Sequence, residues 1–278
     1  MTGRTSRPRA RSYLITFAII ALTAGSLSAH DLFFRLDDFF VSPGAMLKVR
    51  ALNGTFSTSE NSVMRNRLRD LSLVSKGVRT HPDTTLWAAA GDTSILSIQT
   101  SQPGTYVIGA SLLPREITLD AKEFNSYLVE DGIPDVLAAR EKNKEMTKPA
   151  TERYSKHIKT IIQVGSTRTG DFSTVLGYPA ELVPLDNPYS LRAGGTLRVR
   201  AMVDGRAAAN QLVVSGGRSR TGKRFTEART RTDASGVARV RLPSTGHWYV
   251  KFINMVPFRG GERIDYESKW ATLTFGVR

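Results

Sequence analysis

WATLTFGV, Trp270 to Val277, decides how the end of this chain folds. Its side chains alternate, with Ala271, Leu273, Phe275 and Val277 on one face and Trp270, Thr272, Thr274 and Gly276 on the other. One face is apolar and the other mixed, which predicts a terminal β-strand packed on one side. Strand-like runs continue backwards through HWYVKFI, VARVRL, FTEARTRT, QLVVSGG, TLRVRAMV and AELVPL. TDASG, Thr232 to Gly236, reads as a turn between two of these, with Gly236 able to take the positive φ the turn demands. Residues 172–278 therefore read as a small immunoglobulin-like or prealbumin-like sandwich.

Ahead of that segment, DLFFRL, MLKVRAL, LSLVS, SILSIQT and TYVIGASLL are short runs rich in β-branched and aromatic residues. Pro43-Gly44, Gly54, Gly77, Gly91 and Pro103-Gly104 punctuate them, which predicts a first antiparallel sandwich. AKEFNSYLVEDG puts Phe124, Tyr127 and Leu128 on one helical face, and Asp135 can cap a second helix after Ile133-Pro134. This helical insert, about 121–146, is expected to cover one end of the first sandwich. ERYSKHIKTIIQVG returns to strand around Lys159 to Val164, and GSTRTGD, Gly165 to Asp171, reads as a linker. The fold class is all-β, with two β-sandwich domains at 30–168 and 172–278.

Residues 1–29 read as an export signal. Arg4, Arg7, Arg9 and Arg11 precede a short apolar run, YLITFAIIAL, and the small residues TAGSLSA follow it. Cleavage is expected after Ser28 or Ala29, placing the mature protein in a bacterial periplasm or outside the cell. The chain has no cysteine, which excludes disulfides, thiolate metal sites and a cysteine nucleophile. The formal charge of +14 is unevenly spread: residues 172–278 hold 17 Lys and Arg against 8 Asp and Glu, residues 30–171 hold 18 against 17. No GxSxG elbow, P-loop or dinucleotide fingerprint is present, so binding is expected rather than catalysis.

NGTFSTSE, FNSYLVEDGIPDVLAAR, ERYSKHIKTIIQVG, LGYPAELVPLDNPYSLRAGGTLRVR, TDASGVARVRL, HWYVKFINMVP and DYESKWATLTF together resemble the DUF4198 family over essentially the whole mature chain. The resemblance implies an exported bacterial β protein of uncharacterised activity, with some relatives linked to nickel or cobalt uptake. The family pattern often has a histidine just after the signal, as His30 is here. It often has another before the Met of HWYVKFINMVP, where this chain has Asn254.

His30 is the sharpest candidate ligand. Cut after Ala29, the chain would offer an amino group and an imidazole to one metal ion; imidazole suits copper, nickel or zinc, and the family resemblance adds nickel or cobalt. Asp31 and His247 are the expected companions, with His81, His157 and Glu267 as further donors. No HxH, HxxxH or HExxH spacing joins any of them, and a strand-opening histidine beside a solvated aspartate fits the same residues. His81 reads as a loop residue, His157 as exposed and His247 as a strand-start packing residue. The stretch Gly216 to Arg231 carries Arg218, Arg220, Lys223, Arg224, Arg229 and Arg231, with Glu227 as its one acid. It could contact an anionic envelope component such as lipid head groups or an acidic polysaccharide, or be a solvated hairpin whose charges keep its edge unpaired. Three functions are thus open: metal handling beside an uptake system, a non-catalytic envelope module, and a copper redox enzyme built on His30.

Overall fold

The computed structural model describes residues 30–260 and 263–278; the expected export signal lies outside them. The first half runs through β1 (Asp31–Arg35), β2 (Phe40–Val41), β3 (Met46–Gly54), β4 (Ser59–Asn61), β5 (Leu68–Ser75), β6 (Val78–Thr80), β7 (Trp87–Ala90), β8 (Thr93–Gln99), β9 (Gly104–Leu112) and β10 (Arg115–Leu119). Helices α1 (Ala121–Glu130) and α2 (Pro134–Lys142) follow, then the long β11 (Ala150–Val164). The second half holds β12 (Ala180–Pro184), β13 (Gly195–Val203), β14 (Arg206–Ala207), β15 (Leu212–Arg218), β16 (Ala228–Arg231), β17 (Val237–Leu242), β18 (Gly246–Pro257) and β19 (Tyr266–Val277). The fold is all-β, in several packed sheets.

The central sheet has the order β16-β15-β18-β19-β11-β9-β5-β6, with β10 and β2 also on β11. Strands of both halves share it: β19 pairs parallel with β11, Glu152 opposite Tyr266 through Thr160 opposite Thr274. No break in the sheet or the core falls at the expected boundary near 168–172: one apolar core runs from Leu32 and Phe34 to Leu273 and Phe275. A smaller sheet, β1-β3-β8-β7 with β4, lies on one face, where the Thr272 hydroxyl donates to the Leu32 carbonyl at 2.7 Å. The sheet of β12, β13, β14 and β17 packs on the other face, β12 against β19 and β11.

β19 thus departs from the pattern expected of it. It is a central strand, starting at Tyr266, and both of its faces are buried from Trp270 to Val277. Its threonines face protein rather than water: the Thr272 hydroxyl serves the Leu32 carbonyl, and Thr274 is fully buried.

The helical insert forms where expected, with corrected details. Asp120 accepts from the Glu123 backbone N–H at 2.8 Å while Glu123 reaches back to the Asp120 N–H, a reciprocal cap that starts α1. Ile133 caps α2 without a side-chain bond, Pro134 supplies the fixed φ of its first turn, and Asp135 pairs with Arg231 instead. Phe124, Tyr127, Leu128 and Val136 pack on Ile253, Met255, Tyr266 and Trp270. The insert therefore covers strands of the second half as well as β10 and β11.

Candidate ligand-binding site

His30 and Asp31 open β1 beside a cavity of about 200 Å³ whose wall also includes Phe56, Asp131, Arg224, Glu227, Tyr249 and Lys251. β1 crosses the face of the central sheet over β11 and β19, and its side chains reach β18. Asp31 pairs with Lys251 by its Oδ2, and Phe33 packs on Tyr249 at 5.0 Å between ring centroids. Asp131 is the residue after the last turn of α1, where the backbone N–H bonds back to Tyr127. Gly216 on β15 stands opposite Tyr249, and a Cβ there would lie 2.4 Å from the tyrosine oxygen. Its missing side chain leaves room for the ring, whose hydroxyl donates to Glu227.

The site carries more acid than fixed base. Asp31, Glu130, Asp131 and Glu227 line the cavity against Lys251 and Arg224. Burial, with Asp31 close by, drives the Asp131 carboxyl up to about 8. Lys156 lies behind the wall, donating to the His30 carbonyl and, at 3.0 Å, to Asn53 Oδ1. Burial lowers its ammonium to about 8, despite the opposing pull of Asp31 and Asp131. Glu152, also buried and raised, accepts from Tyr127 and Ser268, yet its Oε2 has no partner among the described residues; neither has Asp31 Oδ1.

His30 Nε2 sits 2.7 Å from Glu60 Oε2. The other expected ligands are elsewhere. Lys251, the partner of Asp31, and His247 are four residues apart on β18, roughly 13 Å along a strand. His247 packs edge-on against Phe39 at 5.0 Å, and burial lowers its pKa. The grouping of His30 and Asp31 with His247 is therefore corrected: the strand direction that joins Asp31 to Lys251 carries His247 away. Asn254 shares its face of β18 with Trp248, Val250 and Phe252, opposite Tyr249 and Lys251, and donates to Gln211 Oε1 at 3.0 Å.

His157, expected to be exposed, is buried on β11, with Ser111 Oγ 2.9 Å from one ring nitrogen and Ser155 Oγ 3.0 Å from the other. Its pKa is lowered to about 3 by that burial, so it is neutral. His81 lies in a loop with Nδ1 3.0 Å from Asp70 Oδ1. Glu267 is 3.5 Å from Lys269. Among the described residues no group of three His, Asp or Glu side chains is placed to hold a metal ion.

The basic stretch is not one continuous charged surface. Arg218 bonds the Gly222 carbonyl at 2.9 Å, Arg220 reaches Asp38 at 3.3 Å, and Arg231 grips Asp135 with both terminal nitrogens. Arg224 belongs to the cavity wall, Arg229 stands beside Gly132, and Lys223 is exposed. Sequence reading missed Glu60, Asp131, Lys156 and Lys251. The lysine inside the apolar run HWYVKFI was the available signal, because a buried lysine requires a carboxylate partner.

Among the described residues no helix is long and apolar enough to cross a membrane. A solved structure, trypsin-activated alpha-2-macroglobulin from Escherichia coli, aligns at 9% identity and a TM-score of 0.22; it covers 90% of this chain and 16% of that one. At that score the likeness carries no argument. No curated protein matches the chain. The model of a domain of unknown function, DUF4198, matches residues 27–255, and the chain belongs to that family.

Proposed function

We propose that this chain is an exported, non-catalytic binding protein that captures a small cation, a transition-metal ion or its complex, in the cavity beside His30. The observation that supports this reading is the charge imbalance of the wall: four carboxylates against two fixed cations, with Asp131 driven up to about 8. A cation entering there takes the place of the Asp131 proton and relieves its repulsion with Asp31. No three ligands stand together among the described residues, so the cargo keeps water or organic ligands around it, which the carboxylates bind through hydrogen bonds. The cavity has room for several waters, enough for such a shell. In a chain processed next to His30, the amino terminus and the imidazole add nitrogen donors at its edge.

Calorimetric titration of protein beginning at His30 with nickel, cobalt, copper and zinc salts tests this. Binding is expected to release protons, seen as a dependence of the heat on the buffer's ionisation enthalpy. Asp131→Asn and His30→Ala are each expected to weaken binding about tenfold, or by ~1.4 kcal/mol. Parent-like affinity in both variants defeats the reading.

A further inference from the structure

We propose that a second cavity, at the seam between the two halves of the chain, binds a small organic molecule carrying several oxyanion charges, gripped by Arg168 and Arg192. This cavity is about 570 Å³, within the range of small-molecule sites. Phe40, Gln163, Arg168, Tyr189, Arg192 and Arg278 form most of its wall, and none of its lining residues borders the His30 cavity. The lining side chains include three guanidinium groups and no carboxylate.

The three arginines are not equivalent. Arg278 stacks over the Phe40 ring at 3.8 Å and reaches Asp38 at 3.3 Å, so its charge is partly spent. Arg168 and Arg192 form no side-chain hydrogen bond or ion pair among the described residues. Both sit on backbone that is tied down. Buried Gln163 donates to the Gly165 carbonyl at 3.2 Å and the Thr167 carbonyl at 2.7 Å, pinning the loop that carries Arg168. Behind Arg192, the Gly194 N–H bonds the Leu242 carbonyl at 2.7 Å and the Gly195 N–H bonds the Arg192 carbonyl at 2.9 Å.

Planar forks carried on anchored loops suit bidentate capture of carboxylate or phosphate oxygens, the exposed side chains becoming ordered as they close on the ligand. A single negative charge would leave the site cationic, so the fit is to a multivalent anion. Phe40 and Tyr189, edge to face at 4.9 Å, form a firm apolar wall for a carbon skeleton, while the Tyr189 hydroxyl is already committed to the Ile161 carbonyl. The ligand class is therefore an organic polycarboxylate or phosphate ester. A concave site of this size favours a free small molecule over a head group in a membrane.

The test is calorimetry at low ionic strength with citrate and glycerol 2-phosphate as probes. Saturable binding by the parent is expected, and Arg168→Ser with Arg192→Ser should weaken it at least about tenfold. Two controls separate this site from its alternatives. Arg239→Ser with Arg241→Ser removes the same charge from exposed positions of β17 and should change affinity less than about twofold. His30→Ala should leave anion binding intact, so failure of the cation site and failure of this one are distinguishable. The proposal is overturned by absence of binding of both probes at millimolar concentration, by equal losses in the two double variants, or by binding only to phosphatidylglycerol vesicles.

Discussion

Asp131 shows how one residue's surroundings set its chemistry. Its carboxyl faces Asp31, Lys251, Lys156 and Glu152, and burial with the nearby acids outweighs the lysines. In the unfolded chain it ionises near its ordinary value of about 4, whereas the folded protein keeps the proton up to about 8. The folded state therefore binds more protons across that window, and this group makes stability fall as pH rises from about 4 to about 8. Glu152, raised by burial, acts in the same direction. Lys156, lowered to about 8, does the opposite at higher pH: the unfolded chain binds the extra proton up to about 10.5, so stability rises over that range. Asp131→Asn should accordingly melt closer to the parent at about pH 5 and above it at about pH 8, in thermal scans across that interval. A constant difference would show that the carboxyl does not hold its proton. Gly216 makes a steric prediction at the same site. Gly216→Ala must displace the Tyr249 ring and should cost about 1–3 kcal/mol in urea denaturation, as overpacking does.

Among the elements, β11 carries the most conflict between local pattern and final position. His157 reads as exposed among charged neighbours, yet it and the flanking Lys156 and Lys159 are all buried because the strand has a sheet packed on each face. Lys159 is compensated by Glu181 on β12, which also accepts from the Leu176 N–H at 2.7 Å and the Gly177 N–H at 3.0 Å. Breaking the pair one-sidedly by Lys159→Met leaves a buried carboxylate and should cost about 3–5 kcal/mol. Adding Glu181→Gln should recover part of that loss. Chemical denaturation of the single and double variants checks both steps, and additive losses would mean that the two groups are uncoupled. The helical insert depends on packing in the ordinary way: Phe124→Ala, in a fully buried position, should cost about 3–5 kcal/mol through the cavity it leaves.

At the scale of the whole molecule, the β11–β19 pairing makes the two halves one hydrogen-bonded object. Residues 30–168 and 172–278 expressed apart should each fail to give a cooperative melt, while the joined chain should unfold in a single transition; independent folding of either piece would sink this expectation. Asp171 contributes to the join, accepting from the backbone N–H groups of Lys76 and Gly77 at 2.9 and 2.6 Å, so the expected linker is anchored rather than loose. The sequence by itself determined the all-β class, most strand positions and the helical insert, because these rest on period-two and helical alternation, turn residues and local composition. It could not determine that β19 is central, that His157 is buried, or that His247 stands apart from Asp31. The partners of Asp31 and Arg231 are equally non-local, 220 and 96 residues away in the chain. Alternation tells which residues share a face of a strand, but what covers that face is decided by strand order and by which sheets stack. Those are properties of the tertiary structure alone, since they depend on contacts between segments whose local patterns carry no record of each other.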